Sequence, residues 1–283
     1  MSHPWNRPTW SLSDLEFLVR WEQLGDEQLP EPLWFTSRAE STDDYRRAYA
    51  EMLEHVRHSE DAELAVVFRV LAQPEIRVGV RGMSVARDPA DSDQAGPAVR
   101  LYLAALGEHA YVVTQRPGET IWHTAGYRIS QCSPQALGRT VVNALPATGP
   151  GTLRDTVLPD HPDRPVGLAA ESGMDYGYGR SSFQDSFDTS TTDRGAEFLA
   201  TPMGYAGGIE ISSGQSAYGS SGLTERTIEW VDRLGDGRYA VVRDYPHPRV
   251  AKAVDAKSFA ALVEDQIEEV RLVMLDEDRA VGR

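Results

Sequence analysis

One cysteine, Cys132, stands in a chain of 283 residues. It cannot form an intramolecular disulfide, and nothing else points to an oxidising compartment. Basic residues are scarce, with 28 Lys and Arg against 43 Asp and Glu and a formal net charge of −15. No basic block is present, which argues against a nucleic-acid partner, because phosphate contacts need clustered Lys and Arg. Long apolar runs are missing too. Stretches such as Leu64 to Phe68 fall far short of the ~20 residues that span a bilayer. The opening Met-Ser-His-Pro-Trp-Asn-Arg-Pro carries no apolar segment of the signal-peptide kind. These absences predict an acidic, cytoplasmic protein that is not membrane-embedded. The hydrophobic share is an ordinary 41%, and a chain of this length can bury about three quarters of its unfolded surface.

The first half reads helix, strand, two helices, strand meander, helix. Ser13 and Glu16 have capping-box spacing before the stripe Leu15, Leu18 and Val19, and Gly25 is placed to stop that helix. Leu29-Pro30-Glu31-Pro32 cannot be helical, and Leu33-Trp34-Phe35 predicts a short strand. Tyr45, Tyr49, Met52 and Val56 mark a helix from near Ser41, and Leu64, Val67, Phe68 and Leu71 mark another from about Ser59 to Pro74. Then the period changes from 3.6 to 2. Ile76, Val78 and Val80 alternate with Arg77, Gly79 and Arg81, and Val99, Leu101, Leu103 and Ala105 repeat the pattern. Tyr111 to Thr114 and Thr120 to Thr124 predict further strands, turned at Gly107-Glu108 and Pro117-Gly118. Such short connections favour antiparallel neighbours. Ser133-Pro134 opens a helix carrying Leu137, Val141 and Leu145.

Residues 146–165 read as a linking loop, and residues 171–192 lack any sustained period and are expected to be mobile. A short helix is expected around Arg194 to Ala200 and a strand over Gly207 to Ile211. Arg226 to Asp232 and Arg238 to Arg243 predict a hairpin across Asp236-Gly237, a dipeptide suited to positive φ. The last helix, about Ala256 to Leu275, carries Phe259, Val263, Ile267, Val270 and Met274 on one face. Each half is thus a strand meander closed by an amphipathic helix, 133–145 and then 256–275. The expected class is α+β around a mixed or antiparallel sheet, with pseudo-repeat halves of about 1–150 and 151–283.

No strong catalytic, metal or phosphate-binding signature appears. His55 and His58 lie three apart on a helix near Glu51 and Glu54, but further convergent ligands are not identifiable. Asp160-His161-Pro162-Asp163 reads as a polar turn, Gly177-Tyr178-Gly179-Arg180 as irregular loop, and Cys132 as a buried structural thiol. The paired carboxylates, among them Asp43-Asp44 and Asp276-Glu277-Asp278, sit where water keeps them ionised. No cofactor, metal or catalytic residue is expected. The loop from Ser84 to Ala98 is long for a link between adjacent strands and carries Arg87, Asp88, Asp91 and Asp93. Loops of that kind are often binding loops. Trp230 shares a hairpin face with Ile228 and Asp232; a sheet aromatic is ordinarily core, but an exposed one would anchor a partner.

The order of these pieces resembles the EspG family, the cytosolic chaperones of type VII (ESX) secretion. Leu12-Ser13-Asp14-Leu15-Glu16 with Leu29-Pro30-Glu31-Pro32-Leu33, and the passage Val70-Leu71-Ala72-Gln73-Pro74-Glu75-Ile76-Arg77-Val78-Gly79-Val80-Arg81-Gly82, resemble its first half. Ala144-Leu145-Pro146 through Pro150-Gly151 to Val157-Leu158-Pro159 resembles its middle. Gly208-Ile209-Glu210-Ile211 and Asp236-Gly237-Arg238-Tyr239-Ala240-Val241, with the final helix, resemble its second half. Residues 171–192 depart from the pattern, standing where more helix belongs. The resemblance implies a single domain with a central, mostly antiparallel sheet flanked by two helical bundles, in approximate two-fold pseudosymmetry. It also implies a non-enzymatic job: binding the helical tip of a PPE-type partner in a PE–PPE heterodimer, or a similar helical-hairpin substrate, keeping it soluble and directing it to secretion. Contacts would come from the 84–98 loop, the sheet and the C-terminal helical region, with Arg87, Asp88, Asp91, Asp93 and Trp230 as candidates. Two other readings stay open. One is a small-molecule hydrolase or other enzyme with a site assembled from scattered residues such as His123, Asp232 and Tyr239; the other is a plain scaffold.

Overall fold

The computed structural model describes residues 8–25, 28–59, 61–85, 98–159, 194–216, 223–242 and 247–282. Ten strands form one sheet: β1 (Thr9–Leu12), β2 (Ile76–Ser84), β3 (Val99–Leu106), β4 (His109–Pro117), β5 (Thr124–Cys132), β6 (Thr156–Val157), β7 (Met203–Ser213), β8 (Glu225–Arg233), β9 (Arg238–Val242) and β10 (Val250–Ala253). The helices are α1 (Asp14–Glu22), α2 (Thr42–His58), α3 (Ala62–Ala72), α4 (Leu137–Asn143), α5 over 194–200, and α6 (Ala256–Val281). The strand order is β1-β5-β4-β3-β2-β7-β8-β9-β10-β6, and each named pair is antiparallel.

That order reads the same outward from the β2–β7 seam in both directions. Each half starts at its outer edge (β1 or β6), passes through helix, re-enters at the seam (β2 or β7), and meanders back outward to a closing helix (α4 or α6). The fold is α+β with a pseudo-two-fold arrangement.

Alternation along the strands assigns each side chain to a face. On β3, Leu101, Leu103 and Ala105 join Val78 and Val80 of β2, Ile209 and Ile211 of β7, and the stripe Phe259, Val263, Ile267 and Val270 of α6. Each such α6 side chain contributes roughly 1.5–3 kcal/mol on burial. Tyr102 and Ala104 face the other way, into Phe17 and Trp21 of α1 and Leu64, Phe68 and Leu71 of α3. There the Phe17 ring lies 4.2 Å from that of Tyr127 and 5.3 Å from that of Phe68. On the same side of the second half, Phe198 of α5 covers Val231, Tyr239 and Val241. One face of the sheet therefore carries α4 and α6; the other carries α1 and α3 at one flank and α5 at the opposite flank.

Capping explains several helix starts. Ser13, Ser41, Asp61 and Asp255 each accept a bond from the backbone N–H three residues on. Only Asp255 and Ser258 form the reciprocal box; Glu16 instead pairs with Arg20 at 3.0 Å. Other local expectations change. Leu33-Trp34-Phe35 is not a strand, because side chains satisfy its backbone: Trp34 N–H donates to Gln115 at 3.1 Å and Tyr127 O–H donates to the Trp34 carbonyl at 2.6 Å. Thr120 to His123 is a turn, not a strand, closed by Gly118 and His123 N–H bonds within it. Helix α2 has the expected stripe, yet none of its residues is fully buried. The stretch 171–192 lies outside the described residues.

Candidate partner-binding surface

Between its two helical flanks, the α1/α3/α5 face leaves the central strands open among the described residues. Strand β2 presents Arg77, Gly79, Arg81 and Met83 there, and β7 presents Gly208, Glu210 and Ser212, since their neighbours turn into the α6 side, while Ala206 is buried at the α5 flank. The segment around Glu31 and Pro32 crosses over Gly79, where an added Cβ would lie 3.1 Å from the Glu31 carbonyl. Beyond it no described segment crosses the strip. Arg81 keeps 63% of its side chain exposed while pairing with Glu210 at 2.7 Å, Met83 is 53% exposed, and among the described residues only Arg81 Nε, at 3.9 Å, would approach a Cβ on Gly208.

One end of the strip has an apolar lip. Val85 N–H and Ser84 O–H both donate to the Gly204 carbonyl, which ties the exit of β2 to the entry of β7. Exposed Met83, Val85 and Leu234 cluster around that tie. On the α1/α3 flank, Arg100 of β3 lies directly across from Arg81. Its guanidinium sits 4.6 Å over the Trp34 ring, and Trp34 stacks on Trp122 at 5.2 Å. Burial pulls the Arg100 guanidinium below the usual arginine range, and Arg100 also donates to the Ile121 carbonyl at 3.2 Å. The turn that carries Trp122, half of which is exposed, is clamped by Arg38, which bonds Glu119 at 2.8 Å and also reaches Asp14. Arg38's hydrogen bonds hold the Glu119 carboxyl down at about 2.

The expected site residues fare differently. Arg87, Asp88, Asp91 and Asp93 lie outside the described residues. Trp230 is not a surface anchor: it is fully buried on the α6 side, stacked on Tyr205 at 5.3 Å beneath the Arg238 guanidinium. Its strand has helix α6 over that face, so the indole became core. The enzyme-type trio is not brought together either. His123 bonds Thr120 in the β4–β5 turn, whereas Asp232 pairs with Arg238 at 2.7 Å and Tyr239 O–H donates to Asp236 at 2.5 Å. Four strand spacings separate β4 from β8, about 19 Å. A groove of about 400 Å³ lies elsewhere, lined by Glu75, Arg271, Met274 and Leu275 among others, and holds none of the three. Among the described residues, no group of three His, Cys, Asp or Glu side chains could hold a metal, and no helix is long and apolar enough to cross a membrane.

Sequence reasoning passed over Arg81, Arg100, Trp34 and Trp122. A signal existed: Arg77-Gly79-Arg81 alternates with a fully apolar set on what proves to be a central strand. A central strand with one polar face has that face uncovered.

A family model described as the EspG family matches residues 13–265. The chain belongs to the EspG family. Among solved structures, it matches that of the Mycobacterium tuberculosis type VII secretion system chaperone EspG5 in complex with the PE25–PPE41 dimer, with a TM-score of 0.54 over 90% of this chain and 94% of that chain. At 12% identity the likeness is one of fold. A comparison with curated proteins finds no match.

Proposed function

We propose that this EspG-family protein is a cytosolic chaperone for PE–PPE heterodimers. It binds the helical tip of the PPE-type chain, keeps the pair soluble and directs it to a type VII secretion system. The observation that carries this reading is the open central strip with its apolar lip, in a fold shared with a chaperone solved together with PE25–PPE41. A strip one or two strands wide, walled by helices, suits a helical hairpin end better than a small molecule. A carrier with a net charge of −15 also covers an apolar tip while resisting self-association. No chemical step is required.

Co-expression with tagged PE–PPE pairs from the same genome, followed by size-exclusion chromatography with light scattering, tests this. The expected result is a stable complex with one copy of each chain, lost when an apolar residue at the PPE tip becomes charged. Separate elution from every pair at micromolar concentrations would refute it.

A further inference from the structure

The strip's charge runs against that of the molecule. In a chain with 15 more acidic than basic residues, the strip and its α1/α3 flank carry Arg77, Arg81 and the half-buried Arg100. Of these three, only Arg81 has a carboxylate of the described residues within ion-pair range, Glu210 at 2.7 Å. Arg77 donates to the Gly214 carbonyl and Arg100 to the Ile121 carbonyl, and the buried Nε of Arg77 has no hydrogen-bond partner.

Arg81 and Arg100 are also directly opposed across β2 and β3, and like charges in that relation are destabilising. The Glu210 pair of Arg81 and the Trp34 and Ile121 contacts of Arg100 hold the two guanidinium groups in place against that repulsion. Arg100 is held in one pose, its plane over Trp34, which is itself braced by Trp122. A guanidinium fixed on an indole keeps its donor fork free of rotamer entropy and suits a carboxylate bidentately.

We infer that the strip recognises a carboxylate-bearing tip on its client: Arg100, braced by Trp34, and Arg81 receive client carboxylates, with exposed Trp122 and Met83 packing beside them. This deepens the chaperone reading and rests on it. A polyanion such as nucleic acid is a poorer fit, because a net charge of −15 repels an extended line of phosphates but tolerates one or two carboxylates on a largely apolar tip.

The test uses calorimetry with purified PE–PPE heterodimers that bind the wild-type chain, against full-length Arg100→Glu and Arg81→Glu. Each reversal is expected to weaken binding at least about tenfold. Wild-type affinity is expected to fall as NaCl rises from about 50 to about 500 mM. Changing one tip Asp or Glu of the PPE chain to Lys is expected to restore binding to one of the two reversed variants, which a merely structural role would not do. Arg81 is mostly exposed, so Arg81→Glu decides the matter should Arg100→Glu fail to fold. Reversed variants that fold and bind within about twofold of wild type would overturn the inference while leaving the chaperone reading intact. A wild-type chain that binds no PE–PPE pair would overturn both.

Discussion

Gly207 and Gly208 are adjacent in β7 and meet opposite surroundings. A Cβ on Gly207 would collide with the Arg81 carbonyl and lie 2.7 Å from Trp230 Nε1, and one on Gly82 in the neighbouring strand would lie 2.7 Å from Trp230 Cζ2. The indole thus spans two glycine positions, with Tyr205 stacked on it. Gly208 points to the open strip, with no atom of the described residues nearer than Arg81 Nε at 3.9 Å. Gly207→Ala is therefore expected to destabilise by about 1–3 kcal/mol through overpacking, and Gly208→Ala to stay within about 0.5 kcal/mol of wild type. Urea unfolding distinguishes them; equal losses would mean that the indole shifts freely. The sequence pairs Trp230 with Ile228 on one hairpin face, and that pairing holds. Which face a helix would cover depends on α6, distant in sequence, so alternation alone left Trp230 free to be either anchor or core.

Elements depend on contacts that neither propensity nor period encodes. The β8–β9 turn was expected to place positive φ at Asp236-Gly237, but it is Gly235 that takes φ 74°. Asp236 instead serves as a staple: its carboxylate accepts from Thr152 N–H and O–H at 2.8 Å and from Tyr239 O–H at 2.5 Å, and pairs with Arg233 at 3.1 Å. Burial pushes that carboxyl up, but the bonds from Tyr239 and Thr152 and the nearby Arg233 outweigh it, leaving it below its ordinary value. A depressed carboxyl contributes stability that is present above its unfolded value and lost as pH falls through the folded one. Asp236→Asn should cost about 2 kcal/mol at pH 7, and the gap to wild type should narrow below about pH 4 as the wild-type carboxylate takes up its proton. Denaturant melts at neutral and acid pH measure this; a gap unchanged at low pH would show that charge is not what Asp236 supplies. Helix α2 teaches the same lesson from the other side. Its period names the face that packs, Tyr45 against Phe35 and Tyr49 onto Glu22. It does not say that the cover is so thin that no residue is fully buried.

For the whole molecule, the meander-plus-helix plan of each half was legible because both its signals are local. The joint between halves was not, since β2 and β7 lie more than a hundred residues apart and neither carries a mark of the other. That joint governs how the molecule folds. The nine residues from Ile76 to Ser84 pair with those from Tyr205 to Ser213, and the core beneath mixes Val78, Val80 and Leu103 with Ile209, Ile228 and Val263. The closing helices also lock together: Gly138 N–H of α4 donates to Glu264 of α6 at 2.8 Å, and Gly138 packs against the Ala260 carbonyl. Even the junction after α4 leans on the second half, with the Pro146 and Gly149 carbonyls accepting from Arg238. We therefore propose one cooperative unit. Fragments 1–150 and 151–283 expressed alone should each expose a long unpaired edge strand and half a core, and aggregate. Co-expressed, they should recover a soluble pair. In the intact chain, tryptophan fluorescence and far-ultraviolet ellipticity should then report one coincident urea transition. A fragment 1–150 with its own cooperative melt would divide the molecule into two domains, and the open strip at the seam would become a surface set by how those domains dock.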